Sequence, residues 1–293
     1  MKRIVCLTLT LLLLLSACAP QKTQSTPAVE TGAVVALSRS VAELWLLSGG
    51  TLAGITEDAT DLDAAGAVTI GTLTTPSLEA ILALSPDLVL LTEDLAAHRE
   101  IKESLTGMGI TVQSIDINSF DDYDSTMQTL TALTGREDLY AQNVTAVRQQ
   151  INAVVKDAPY TNRPKNEKPT YLAVRVSATK NKALKNDYFA CDIFNDLGLI
   201  NIAADNDTFD ELNLEAIAFA QPDYIFVVLQ GDEDKALDSY RKALESHDVW
   251  GALEAVKNGR VHILPKDLFQ YKPNAKWGDA YSYASDVING ENQ

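Results

Sequence analysis

Two stretches decide the reading: Pro76-Ser77-Leu78-Glu79-Ala80-Ile81-Leu82-Ala83-Leu84-Ser85-Pro86-Asp87 and Leu212-Asn213-Leu214-Glu215-Ala216-Ile217-Ala218-Phe219-Ala220-Gln221-Pro222-Asp223. They match at six of twelve positions with an offset of 136 residues, and each runs into an apolar tetrad, Leu88-Val89-Leu90-Leu91 or Tyr224-Ile225-Phe226-Val227. Each reads as a short helix capped by Ser77 or Asn213 and stopped before Pro86 or Pro222, then a buried strand. One helix-to-strand unit used twice implies two lobes.

Around these units, apolar runs alternate with helical patterns. Strands are predicted at Ala33 to Leu37, Asp87 to Leu91 and Thr111 to Ile115, with helices at Val41 to Leu47, Leu78 to Leu84 and Ala96 to Met108. A second series has strands at Thr170 to Val176, Tyr224 to Leu229 and Val261 to Leu264. Its helices fall near Phe189 to Leu197, Leu214 to Phe219, Lys235 to Glu245 and Tyr281 to Ile288. Such alternation is the pattern of α/β layers: two Rossmann-like lobes with mostly parallel sheets. Between them Tyr140, Val144, Val147, Ile151, Val154 and Ala158 recur every three or four residues without a Gly or Pro. That is one amphipathic helix, ~30 Å long, acting as a strut. The expected organisation is a first lobe at 33–134, an interlobe helix at 135–158 and a second lobe at 159–293.

The 293 residues suffice for two cores, and 46% hydrophobic with 22% charged residues is ordinary globular composition. With 40 acidic against 24 basic residues the net charge is −16, which disfavours nucleic acid as a partner. Three cysteines build no disulfide framework. The histidines His98, His247 and His262 lie in unrelated segments, so neither a resident metal nor another cofactor is expected.

Lys2 and Arg3 precede an apolar run from Ile4 to Leu15, too short for the ~20 residues of a membrane span, so it reads as a signal-peptide core. It ends in Leu15-Ser16-Ala17-Cys18, which resembles a bacterial lipobox. The resemblance implies removal of 1–17, lipidation of Cys18 and a chain held at the outer face of the cell membrane by that anchor alone. The plainer alternative is secretory cleavage after Ala17 or Ala19. Loss of Lys2 and Arg3 takes the net charge to −18 and leaves Cys191 as the free thiol. Residues 18–32, rich in Pro, Gln, Thr, Ser and Ala, read as a flexible tether.

The lipobox, the Pro76 to Val89 segment, its second-lobe echo and Gly259-Arg260-Val261-His262-Ile263-Leu264-Pro265 before Trp277 together resemble the substrate-binding proteins of bacterial ABC importers for iron-siderophores, haem and cobalamin. The resemblance covers nearly all of the mature chain. It implies a non-enzymatic monomer that captures a ligand between its lobes and hands it to a permease dimer with its ATPase. In that family one acidic residue per lobe docks into arginine pockets of the permease; the matching positions are Glu79 and Glu215. Equivalent lobes facing a symmetric partner make the match physically sensible. Stabilisation of a first-turn Glu by the helix dipole is the bland alternative.

A ligand in this architecture lies between the lobes, at loops after strands. Candidates are Arg39 in the first lobe and Arg175, Lys180 and Lys182 in the second, with Lys185 close by. From Thr170 to Asn186 there are four basic residues and no acidic one. That reversal in an acidic chain is either a solvated loop or an anion-binding wall, with Arg39 and Arg175 as forked donors. Aromatic candidates are Trp45, Tyr188, Phe269, Tyr271 and Trp277. Trp45 reads as core, while Phe269, Tyr271 and Lys272 alternate before Pro273 as a cleft rim. A ferric siderophore ranks first, with haem or a cobalamin-like ligand behind it. An extracellular hydrolase and a ligand-sensing lipoprotein are the rivals; no G-x-S-x-G, H-E-x-x-H or C-x-x-C motif supports the former.

Overall fold

A computed structural model of the chain describes residues 32–290. The leader, Cys18 and all but the end of the tether lie outside the described residues. The first sheet comprises β1 (Val34–Ala36), β2 (Gly54–Ile55), β3 (Val68–Thr69), β4 (Leu88–Leu91) and β5 (Thr111–Ser114). All its pairings are parallel, in the order β3-β2-β1-β4-β5. The second sheet comprises β6 (Thr170–Val176), β7 (Asn181–Ala183), β8 (Ile200–Asn201), β9 (Tyr224–Leu229) and β10 (Val261–Ile263). Here β10, β9, β6 and β8 pair in parallel, while β7 folds back antiparallel on the end of β6. The α/β class with two mostly parallel sheets is thus the observed one. In each sheet the strand order reverses beside the first strand of the lobe, between β1 and β4 and between β6 and β9, which opens a crevice at the carboxyl ends of those strands.

The duplicated unit repeats its cap, its left-handed turn and its carboxylate clamp. Ser77 Oγ accepts from Ala80 N at 3.2 Å, and Asn213 Oδ1 from Ala216 N at 3.1 Å. The helices Leu78–Ala83 and Leu214–Ala220 are followed by Ser85 and Gln221, two non-glycine residues held at φ +47° and +44°. Asp87 Oδ2 then accepts from Ala33 N at 2.8 Å, and Asp223 Oδ2 from Thr170 N at 2.8 Å. A carboxylate after the proline thus pins the start of the neighbouring strand in both lobes.

The interlobe helix runs unbroken through Glu137–Tyr140, a wide π-type turn at Ala141–Thr145, and Ala146–Asp157. At the wide turn the carbonyl of Asn143 accepts from the Tyr123 hydroxyl at 3.0 Å, while Asn143 Nδ2 donates to Leu47 O at 2.9 Å. The helix Phe120–Thr134, not anticipated from sequence, precedes it; Ser119 and Asp122 form its capping box and Gly135 at φ +67° turns the corner. The last helix, Trp277–Asn289, lies along the strut so closely that a Cβ on Gly278 would fall 2.2 Å from Gln150 Oε1. One apolar core runs across both lobes: Trp277 meets Phe120 of the first lobe at 5.9 Å and Phe189 of the second at 5.7 Å, both edge-on. Phe269 is fully buried in this core, which corrects its expected place on the cleft rim, and Trp277, an aromatic candidate for covering the ligand, is buried there as well. The alternation around Phe269 belongs to a short helix, Lys266–Phe269, whose apolar side packs inward. Trp45 is core, as read.

Candidate ligand cleft

On β6, Tyr171 and Ala173 enter the shared core, so Arg175, two residues on, shares their face at the carboxyl end of the strand. Antiparallel pairing sets Lys182 of β7 directly opposite Arg175, and Lys180 ends the turn between the two strands. Among the described residues none of these three cations has a carboxylate within ion-pair distance. The Arg175 guanidinium sits 5.8 Å from the Tyr188 ring centre. Burial first, and then Arg175, push the Lys182 pKa down from its ordinary value. Lys185 differs: it pairs with Asp207 at 2.5 Å and Asp210 at 3.1 Å and is therefore already neutralised.

Contacts lead from this wall to the first lobe. The Tyr188 hydroxyl, its pKa raised by burial, donates to Phe269 O at 2.9 Å. Lys272 Nζ lies 5.2 Å from the Phe189 ring centre and donates to the carbonyl of Ile117 and, at 3.2 Å, to Asn118 Oδ1, just past β5. Burial lowers the Lys272 pKa, opposed by Asp94, Asp116 and Asp122 of the first lobe. Lys272 is thus committed to the seam as a bridge. Asn274 Nδ2 continues the seam with a 2.7 Å bond to Glu43. Tyr271 is 45% exposed, with the Lys266 ammonium 5.5 Å from its ring centre. Arg39 is ion-paired to Asp61, which raises its pKa, and its Nη1 donates to Asp58 O at 3.3 Å. Contacts thus link Lys182, Arg175, Tyr188 and Lys272 along one seam, while Arg39 is committed to Asp61 in the first lobe and Tyr271 lies by Lys266 in the second; Arg175, Lys180 and Lys182 are cations without a carboxylate partner among the described residues.

Sequence reasoning missed the acidic side of the seam. Thr56-Glu57-Asp58, Thr92-Glu93-Asp94 and Asp116 each follow a first-lobe strand, a pattern visible as polar residues closing apolar runs. Of the seven buried polar side-chain atoms without a partner among the described residues, five fall on the same strand ends and on the crossing segment, namely Thr56 Oγ1, Asp58 Oδ1, Ser114 Oγ, Gln270 Oε1 and Asn274 Oδ1, and the other two are His98 Nδ1 and Trp277 Nε1. Such atoms call for a partner, water or ligand. A cavity of about 440 Å³, lined by Tyr160, Tyr224, Arg260 and His262, opens instead at the amino ends of β9 and β10, away from these groups. His262 packs there against Phe226, with ring centres 6.1 Å apart. Cys191 is buried, which pushes its thiol up to about 12 and makes it a structural residue.

The family model described as periplasmic binding protein matches residues 34–268, nearly all of the described body. The chain belongs to the periplasmic binding protein family. Among relatives of this periplasmic binding protein, the iron-uptake system-binding protein of Bacillus subtilis is 28% identical over 220 residues, covering 71% of this chain and 62% of that protein. An uncharacterised ABC transporter substrate-binding lipoprotein of the same organism is 28% identical over 194 residues, covering 66% and 59%. The chain thus spans about three-fifths of the length of these curated relatives. Among solved structures, Staphylococcus aureus IsdE complexed with haem superposes with a TM-score of 0.74 at 17% identity, covering 87% of this chain and 98% of that one. At that identity the likeness shows the fold.

Proposed function

We propose that this periplasmic binding protein is the substrate-binding lipoprotein of an ABC importer. It captures an anionic ferric siderophore between its lobes and delivers it, chemically unchanged, to a membrane permease with its ATPase. The observation that carries the ligand class is the set of three cations, Arg175, Lys180 and Lys182, about the carboxyl end of β6 and the turn into β7, which have no carboxylate partner among the described residues of a chain with 40 acids. Cations without carboxylate partners in so acidic a protein focus a negatively charged ligand onto this one wall. Tyr271 supplies an exposed ring for planar groups of the chelate. The iron-uptake relative supports the cargo, and the lipoprotein relative, together with Ser16-Ala17-Cys18, supports an anchor at the outer face of the membrane. Glu79 and Glu215, both exposed in the first turns of the duplicated helices, are the acids offered to the permease.

A thermal-shift screen with ferric citrate, ferric catecholates, ferric hydroxamates, haem and cobalamin tests the reading, since a ligand at 100 times its Kd stabilises by ~2.7 kcal/mol. An anionic ferric chelate is expected to give the largest shift. Arg175→Gln with Lys182→Gln is expected to weaken that chelate at least tenfold while leaving the unliganded melting temperature in place. If haem or cobalamin alone shifts the transition, or if the double variant binds as the parent does, the assignment fails.

A further inference from the structure

The two copies of the duplicated helix differ at one exposed position. Four residues after Glu79 stands Ala83, and four residues after Glu215 stands Phe219, so each pair shares a helical face. Phe219 is 94% exposed, far above Met108 at 57%, the next most exposed large hydrophobic among the described residues. The turn that carries it is held firmly. Gln221, in the left-handed conformation, donates through Nε2 to Ala218 O at 2.8 Å and accepts through Oε1 from Glu254 N at 3.0 Å. Ser85, its counterpart, makes no such side-chain bonds among the described residues.

A fully exposed phenyl ring on a pinned turn beside a carboxylate has the make-up of an interface hot spot: a large apolar anchor presented with little ordering entropy left to lose. We propose that Phe219 is the apolar anchor by which the second lobe engages the transmembrane permease, seated next to the group that receives Glu215. This rests on the reading of the chain as an importer's binding protein. The occupant follows from the duplication, because equal caps, equal turns and equal glutamates give the two lobes matching faces, as a two-fold partner requires. A second copy of this chain is disfavoured as occupant. It would bring its own acids against Glu211 and Glu215 in a protein of net charge −16. Phe219 then breaks the equivalence of the lobes: the partner meets a ring on one side and the methyl of Ala83 on the other.

The test is stimulation of the cognate permease–ATPase complex in lipid nanodiscs by the full chain, with half-saturating concentration as the readout. Phe219→Ser is expected to raise that concentration at least tenfold, with melting temperature and ferric-chelate affinity unchanged, while Met108→Ser, at an exposed apolar residue outside the duplicated helices, leaves it alone. A Phe219→Ser curve that overlays the parent overturns the anchor. If Glu79→Gln with Glu215→Gln still impairs stimulation in that case, the docking face stands without it. If neither variant has an effect, docking through this face falls as well, whereas chelate binding judges the importer reading separately. Concentration-dependent dimerisation of the parent that Phe219→Ser abolishes would assign the ring to a copy–copy contact and overturn the proposal.

Discussion

Asp192 offers a measure of what burial costs a carboxylate in this fold. It lies in the first turn of the helix Phe189–Asp196, where the helix dipole favours a carboxylate. Burial nevertheless pushes its pKa up to about 6, helped by Asp196 on its own helix and by Asp121 and Asp122 on the first lobe. Against an ordinary value of ~3.9, a rise of about two pH units corresponds to ~3 kcal/mol of unfavourable ionisation. Asp192 is half-exposed, and solvent screening reduces that to ~1–2 kcal/mol. Because the folded state holds this proton more tightly than the unfolded one, stability falls as pH rises through ~4 to ~6, and the full deficit is present at pH 7. Asp192→Asn should remove it. Scanning calorimetry should show the variant melting ~2–8 °C higher at pH 7, at ~2–4 °C per kcal/mol for a chain of this size. The gap should shrink to nothing near pH 4. A gap of equal size at both pH values, or a variant less stable at pH 7, would refute the account.

Two further outcomes follow from the hydrogen bonds. Asp223→Ala removes an acceptor of two bonds from Thr170, at 2.8 Å from N and 3.0 Å from Oγ1. It should cost ~1.5–3 kcal/mol in urea unfolding, and Asp87→Ala, which loses a single exposed bond to Ala33, should cost less. If the order is reversed, the carboxylate clamps are not what holds the strand starts. Lys272→Met leaves the Ile117 carbonyl and Asn118 without their cross-lobe donor. Hydrogen exchange should quicken at the amides around 117–119 and over 270–274, with a loss of ~1–3 kcal/mol. Unchanged exchange there would show that the aromatic seam alone holds the lobes.

The elements legible in the sequence are those whose burial is written in their own residues. Thr170–Val176 and Tyr224–Leu229 are read to the residue because both are apolar runs bounded by turn formers. The strands β2, β3, β7 and β8 have two or three residues each, too few for a period, and exist because a neighbouring strand offers a ladder. The helix Phe120–Thr134 escaped notice because polar residues, Thr131 and Thr134 among them, fill core positions. Their hydroxyls return to backbone carbonyls, Thr131 to Met127 O at 2.7 Å and Thr134 to Ser48 O at 2.5 Å, so burial leaves nothing unpaired. The cation wall was visible as a local reversal of charge. What Lys272 does was not, because its partner carbonyl on Ile117 is 155 residues away and carries no sequence signature.

The position of the cleft follows from the duplication more than from any residue that lines it. A clamp that fastens the start of β1 to the residue before β4, and the start of β6 to the residue before β9, fixes in each sheet which two strands flank the reversal. Both reversals then open at carboxyl ends, where the chain leaves the ladder and its polar groups lose their strand partners. The shared core around Trp277 holds the two openings against one seam. The side chains at that seam are consequently free to differ between the lobes, acids after β2, β4 and β5 and cations about β6 and β7, without cost to either fold. Strand-end residues such as Arg175 and Lys182 can be exchanged while the paired clamps stay as they are. The clamps accordingly bear on stability, and the strand-end side chains can vary apart from them.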